Sequence, residues 1–232
     1  MNLELYVHLL QRLEDHGHQA FFVGGCVRDF YLKFPIDDID IATSALPSVV
    51  IDIFNDCSLD TFAQQYGVVS LKKPLKCQIT TFRRESDYIN HRKPTIINFT
   101  SQLQEDVVRR DFTINALYMN RQYNIIDHVH GIKDCEHRIL RCVGDAHQRL
   151  NEDALRILRA LRFLVKYDLT LEESLELALL DLGYLANYLD ENTLKNEEKR
   201  FKQAKFDTYQ MKKIEYWCKK FNINTFLKTI DC

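Results

Sequence analysis

Apolar positions follow two rhythms along the chain. Over residues 3–15 they recur at helical spacing, and they then shorten into runs separated by turn formers. These runs predict strands at residues 19–23, 39–42, 58–62, 67–71 and 77–82, with helices at 26–33 and after Pro47. The last three strands are joined by tight connections, so the sheet is expected to be antiparallel or mixed, and not doubly wound. Beyond about residue 145 the rhythm turns almost continuously helical. Leu150, Ala154, Ile157, Leu161 and Leu164 recur at steps of 4, 3, 4 and 3, a stripe that buries one face of a helix. Further helices are expected over 171–182 and beyond Glu191. The pattern therefore predicts an α+β protein, with a sheet-containing domain over residues 1–145 and an all-helical domain over 146–232. No internal repeat is found, and no linker rich in Gly, Pro or Ser divides the two parts.

Composition narrows this picture without changing it. With 232 residues, 46% apolar and 28% charged, the chain has material for one sizeable core or two small ones. No stretch approaches the roughly 18 uninterrupted apolar residues of a membrane span. The opening segment carries acids inside its apolar pattern and reads as an amphipathic helix, not a signal peptide, so a cytoplasmic protein is expected. Seven cysteines (Cys26, Cys57, Cys77, Cys135, Cys142, Cys218 and Cys232) form an odd set without a CxxC pair, which fits reduced thiols. The eight histidines are scattered, and His128 with His130 lacks a third ligand at zinc spacing. The net charge of −2 is unevenly spread: residues 168–191 hold seven acids and no bases, whereas 195–220 hold nine bases and four acids. Either two helix faces of opposite sign pack together, or the basic end, with Tyr209, Tyr216 and Trp217 among its cations, touches a polyanion.

Two short segments concentrate candidate chemistry. Gly24 and Gly25 stand between a predicted strand and a predicted helix, where free backbone N–H groups and the absence of side chains make a phosphate cradle, and Arg28 adds a forked donor. Ten residues after Arg28, Asp38 and Asp40 flank Ile39. On a strand, positions i and i+2 share a face, so the two carboxylates would project side by side, an arrangement that is costly without a cation. Magnesium held there would suit in-line phosphoryl chemistry.

The run GGCVRD, DIDIAT, TTFRRESDYINHRKP, RRDFTINAL and NEDALRILRALRF, in that order, resembles the class II tRNA nucleotidyltransferases and bacterial poly(A) polymerases over roughly residues 20 to 165. The resemblance implies a polymerase-beta-like nucleotidyltransferase head followed by a helical neck. It implies transfer of nucleotides from CTP or ATP to an RNA 3′ end, the tRNA terminus above all, with magnesium and without a nucleic-acid template. Asp38 and Asp40 match the family's metal pair, and Gly25 and Arg28, with Gly24 in the same turn, its triphosphate contacts. Arg110 and Asp111 match its nucleotide-binding Arg-Asp, with Asn115 one helical turn beyond on the same face. Glu152, Asp153 and Arg156 match the base-selecting motif; on one helix all three share a face. Asp153 would accept from an exocyclic amine and Arg156 would donate to the adjacent ring nitrogen. Cytosine and adenine satisfy both, whereas uracil and guanine present opposed groups. Arg159 and Arg162 continue along the helix, near the nucleotide or paired with acids. Residues 84–94 resemble the family's flexible loop at ordinary length, which favours complete CCA addition over CC addition.

The chain departs from the family in two respects. Gln78 stands where many members carry a glutamate, a candidate third carboxylate near the metals. The sequence also ends at Cys232, short of the family's usual body and tail, so the expectation is either a minimal or a truncated enzyme. A-adding or poly(A) polymerase activity on the same scaffold, or a weakly catalytic RNA- or nucleotide-binding module, stand as alternatives.

Overall fold

Leu9, Leu10 and Leu13 line one side of the first helix and are completely buried, which is what the helical spacing of the opening segment requires. The computed structural model describes residues 2–226; the thiol reading of Cys232 lies outside them. A 3-10 turn, Leu3–Tyr6, leads into α1 (Val7–Asp15), followed by β1 (Ala20–Val23), α2 (Gly25–Tyr31), β2 (Asp40–Thr43) and α3 (Pro47–Ile53). Pro47 occupies the first turn of α3, where its missing N–H costs nothing. Then come β3 (Ser58–Asp60), β4 (Val68–Lys73), β5 (Cys77–Thr81), β6 (Arg83–Ile89), β7 (Lys93–Phe99), α4 (Leu103–Val108), β8 (Tyr118–Met119), β9 (Ile125–Ile126) and α5 (Gly131–Glu136).

Seven strands form one mixed sheet in the order β3-β4-β5-β2-β1-β8-β9. Every neighbouring pair is antiparallel except β2 with β5, whose parallel pairing needs the crossover supplied by α3, β3 and β4. The fold is polymerase-beta-like, as the motif order implies. Phe22, Ile41, Val69, Leu71 and Ile79 are buried on these strands and carry the core, with Phe54, Phe82, Phe112 and Tyr118 filling it.

The helical part contains β10 (Ile139–Leu140), α6 (Ala146–Glu152), α7 (Leu155–Lys166), β11 (Thr170–Leu171), α8 (Glu173–Leu182), α9 (Glu191–Ala204) and α10 (Thr208–Lys220). The chain forms two compact units, Met1–Ser86 with Ile96–Cys135, and Asp87–Thr95 with Glu136–Cys232.

Three expectations are corrected. The stripe from Leu150 to Leu164 is not one helix: α6 ends at Glu152, Asp153 is extended with φ −139° and ψ 101°, and α7 starts at Leu155. Asp153 makes the break itself, because its side chain accepts from Leu155 N at 3.0 Å and competes with helical hydrogen bonding. Residues 84–94, expected as a loop, belong to a hairpin, β6 with β7, whose turn uses Asn90 and His91 at positive φ. The strand expected at 39–42 starts one residue later, at Asp40, so Asp38 lies two residues before β2 and does not share a strand face with Asp40.

Within the helical unit the two charged stretches pair. Lys213 meets Asp168 at 3.0 Å and Lys220 meets Glu176 at 2.5 Å. Lys195, Lys202 and Lys219 pair with Glu191, Glu198 and Glu215 four residues earlier on their own helices. Exposed pairs of this kind add little stability. Among the described residues, no helix is long and apolar enough to cross a membrane.

Candidate functional site

β1 delivers the chain to Gly24, whose φ of 76° and ψ of −129° are open to glycine and strained for any other residue. Gly24 N donates to Leu117 O at 3.0 Å, and Gly24 O accepts from Arg28 N at 3.1 Å, which starts α2. A Cβ on Gly24 would lie 3.7 Å from Asn115 O and 3.8 Å from Arg110 Nη1, both ordinary contacts, so the conformation and not a clash demands glycine. Gly24→Ala is therefore expected to destabilise the protein by about 1–3 kcal/mol, read as a lower urea midpoint at unchanged slope.

Arg28 is buried, at 4% exposure. Its Nε donates to Asp29 Oδ1 at 2.9 Å and its Nη1 donates to Asn115 Oδ1. Asn115 Nδ2 in turn donates to Asp111 Oδ1 at 3.2 Å, an oxygen that also accepts from Phe112 N at 2.8 Å. Asp111 and Asn115 were expected on one helix. The segment instead leaves α4 after Val108 and re-forms only a 3-10 turn at Thr113–Asn115, yet the hydrogen bond between them forms. Arg28, Asp29, Asp111 and Asn115 are thus one buried chain of polar groups.

Asp40 opens β2, half-buried, and Asp38 is exposed just before it. Asp40 pairs in register with Gln78 on the parallel strand β5, and Gln78 N donates to Ile39 O at 3.1 Å. The departure noted in the sequence therefore places a neutral amide beside the second aspartate. Burial pushes the thiols of the neighbouring Cys26 and Cys77 up to about 12, which keeps both protonated.

Sequence reasoning missed Asp106. It is fully buried, accepting from Arg83 N at 3.2 Å, Arg109 Nε at 2.7 Å, Arg110 Nη2 at 2.9 Å and Tyr118 Oη. Burial alone would push its carboxyl up; the Arg109 and Arg110 guanidiniums and the Tyr118 hydroxyl reverse this and hold it well below the usual carboxylate range. Its position three and four residues before the two arginines was the available signal.

In the helical unit, Glu152 accepts from Gln148 Nε2 at 2.9 Å, from Arg149 Nη2, and from Arg156 Nη1 at 2.8 Å. Asp153 faces Arg92 Nη1 at 3.3 Å, and burial raises its carboxyl above the ordinary aspartate value against the pull of Arg92 and Arg156. The hairpin tip is fastened to the same place. Ala154 N donates to His91 O at 2.7 Å, His91 Nδ1 contacts Asn151 O at 2.8 Å, and the Arg156 guanidinium lies 5.9 Å from the centre of the Tyr88 ring. Arg159 and Arg162 lie over Phe163 at 5.2 and 4.6 Å. Arg162 Nε donates to the buried Glu197 at 2.5 Å, while its Nη2 makes no hydrogen bond among the described residues. Burial lowers the Arg162 pKa against this pairing.

A glycine turn, an aspartate opening the adjoining strand and an Arg-Asp segment, carried by this mixed sheet, define the polymerase-beta-like nucleotidyltransferase fold. Residues 20–141 match the poly(A) polymerase head domain, and the chain belongs to that family, the class II tRNA nucleotidyltransferases. It is 44% identical over 189 residues to a CCA-adding enzyme of Lactobacillus delbrueckii subsp. bulgaricus, covering 82% of this chain and 48% of the relative. It is 42% identical over 183 residues to one of Staphylococcus saprophyticus, covering 77% and 45%. Among solved structures, the Bacillus stearothermophilus CCA-adding enzyme in complex with CTP matches with a TM-score of 0.83 at 31% identity, covering 98% of this chain and 54% of that one. A tRNA nucleotidyltransferase complexed with a primer tRNA and an incoming ATP analog matches at 0.71 and 28% identity, covering 94% and 61%. The chain spans about half the length of the curated relatives it matches.

Proposed function

We propose that this protein adds C, C and A to the 3′ end of tRNA from CTP and ATP, without a template, with residues 1–145 as catalytic head and 146–232 as helical neck. The observation that carries the reading is the Gly24 turn beside β2, with Asp40 at the strand's first position. The similarity to CCA-adding enzymes supports it. In this reading the tRNA 3′-OH attacks the nucleotide α-phosphate and pyrophosphate leaves. Gly24, Gly25 and Arg110 face the triphosphate, and Arg28 joins them directly or by holding Asn115. Asp111 accepts from the ribose hydroxyl. Asp153 and Arg156 read the base, with Glu152 fixing the Arg156 guanidinium from its other side. Arg159 and Arg162 contribute positive charge nearby.

Asp38 and Asp40 would hold magnesium, which supplies Lewis-acid activation of the hydroxyl and charge stabilisation at the leaving pyrophosphate. The donor set fits this ion. Two hard oxygen donors would leave the remaining positions to water and phosphate, the usual magnesium arrangement.

The test is incubation of the protein with magnesium, CTP and ATP, singly and mixed, and tRNA transcripts ending before the CCA, after C and after CC, with products resolved to one nucleotide. Addition of C, C and A that then stops, and its loss in Asp38→Asn, is the expected result. Addition of A alone would move the assignment to an A-adding or poly(A) enzyme. Nucleotide binding without addition would make the protein a binding module.

A further inference from the structure

Arg110 is fixed by a closed set of bonds. Its Nε donates to the Tyr118 hydroxyl at 2.6 Å and its Nη2 donates to Asp106 Oδ2 at 2.9 Å, while the hydroxyl donates to the same Asp106 oxygen. The guanidinium carbon also sits 4.8 Å from the centre of the Tyr118 ring. Tyr118 accepts from the arginine and donates its own O–H to the aspartate, so the hydroxyl cannot turn without breaking two bonds. Asp106 and Tyr118 are both at 0% exposure, and burying such groups is costly unless each is satisfied.

Two of the three guanidinium nitrogens are committed in this way. The third, Nη1, makes no hydrogen bond among the described residues and lies 3.8 Å from the point a Cβ on Gly24 would occupy. At that point the glycine leaves the turn bare. A forked cation with one nitrogen left over, held beside a backbone stripped of its side chain, matches the needs of a phosphate oxygen.

We propose that Tyr118 is a positioning residue: through its hydroxyl it locks Arg110 so that Nη1 meets a phosphate oxygen of the bound nucleoside triphosphate. This rests on the nucleotidyltransferase reading above. Phenylalanine at position 118 keeps the ring and its packing but removes the acceptor of Nε and one of the two donors to Asp106 Oδ2. The guanidinium then keeps one anchor and can swing away from the turn.

The experiment compares the affinities of the full chain for CTP and for cytidine in the wild type, Tyr118→Phe, Arg110→Lys and the double variant. Tyr118→Phe is expected to weaken CTP about tenfold, the effect of losing one charge-assisted hydrogen bond, and to leave cytidine unchanged. Arg110→Lys keeps the charge but cannot hold Tyr118 and Asp106 together, and should show the same triphosphate-specific loss. The double variant should then lose no more than Arg110→Lys alone, as expected of groups acting as one unit. Equal weakening of CTP and cytidine by Tyr118→Phe would make the tyrosine a packing residue and overturn the proposal, as would additive losses. If the phenylalanine variant does not fold, Arg110→Lys decides by itself, since an unchanged preference for CTP over cytidine overturns the proposal. A wild type that binds CTP no better than cytidine overturns the nucleotidyltransferase reading and this one with it.

Discussion

Replacing Asp40 with asparagine is expected to lower nucleotide addition by about a thousandfold or more, with a smaller loss of CTP binding. Asparagine has the same shape, and Asp40 sits half-buried at the start of β2, so the strand should survive the change. What disappears is one of two negative charges available to a magnesium ion. A bound metal supplies several kcal/mol of transition-state stabilisation, and about 1.4 kcal/mol corresponds to each tenfold in rate. The residue in register on β5 is Gln78, an amide, so that position carries no negative charge to take over. Single-turnover addition of one C to a tRNA transcript, together with CTP titration, checks both halves. Equal loss of binding and rate would point to a damaged nucleotide pocket instead of a lost metal ligand.

Asp106→Asn is expected to cost about 3–5 kcal/mol of stability, because it leaves Arg109 and Arg110 without their shared buried counter-charge. An amide also offers N–H groups where Arg83 N, both arginines and Tyr118 all donate, so at least one donor is left opposed. The pH dependence separates this from simple packing damage. The folded-state pKa of Asp106 lies below its unfolded value, so the stabilisation is complete at pH 7. It declines as the pH falls below about 4, where the unfolded aspartate takes up its proton, and is lost as the pH passes through the folded pKa. Urea melts of the two proteins should therefore lie far apart at neutral pH and converge in acid. A gap that persists unchanged into acid would sink this explanation.

Local patterns carry the parts of the protein whose cause is local. Gly24 and Gly25 at a strand-to-helix turn, the nearly continuous burial of β1 and β2, and the alternation of buried residues in β4 and β5 depend on backbone sterics and on which face meets the core. The hairpin β6–β7 was not legible because its strands bury no continuous apolar row, and their apolar residues Ile89, Ile96 and Phe99 lie exposed among polar ones. The break at Asp153 was hidden for a related reason. The apolar stripe keeps helical spacing across it, while the side chain of Asp153 diverts the backbone through a hydrogen bond that periodicity does not register.

The sequence by itself determined the family, the glycine turn, the aspartate pair and the candidate base-reading residues, because each is a matter of residue type at short spacing. Only the tertiary structure decided who neutralises whom. Arg28 is committed to Asp29 and Asn115, which lies 87 positions away, and the Arg109 and Arg110 guanidiniums converge on Asp106 together with Tyr118 and the backbone N–H of Arg83. Gln78 comes beside Asp40 through a parallel pairing that no turn encodes. Charged groups taken out of water must find partners wherever the packed chain brings them, and that choice is made by the whole fold at once.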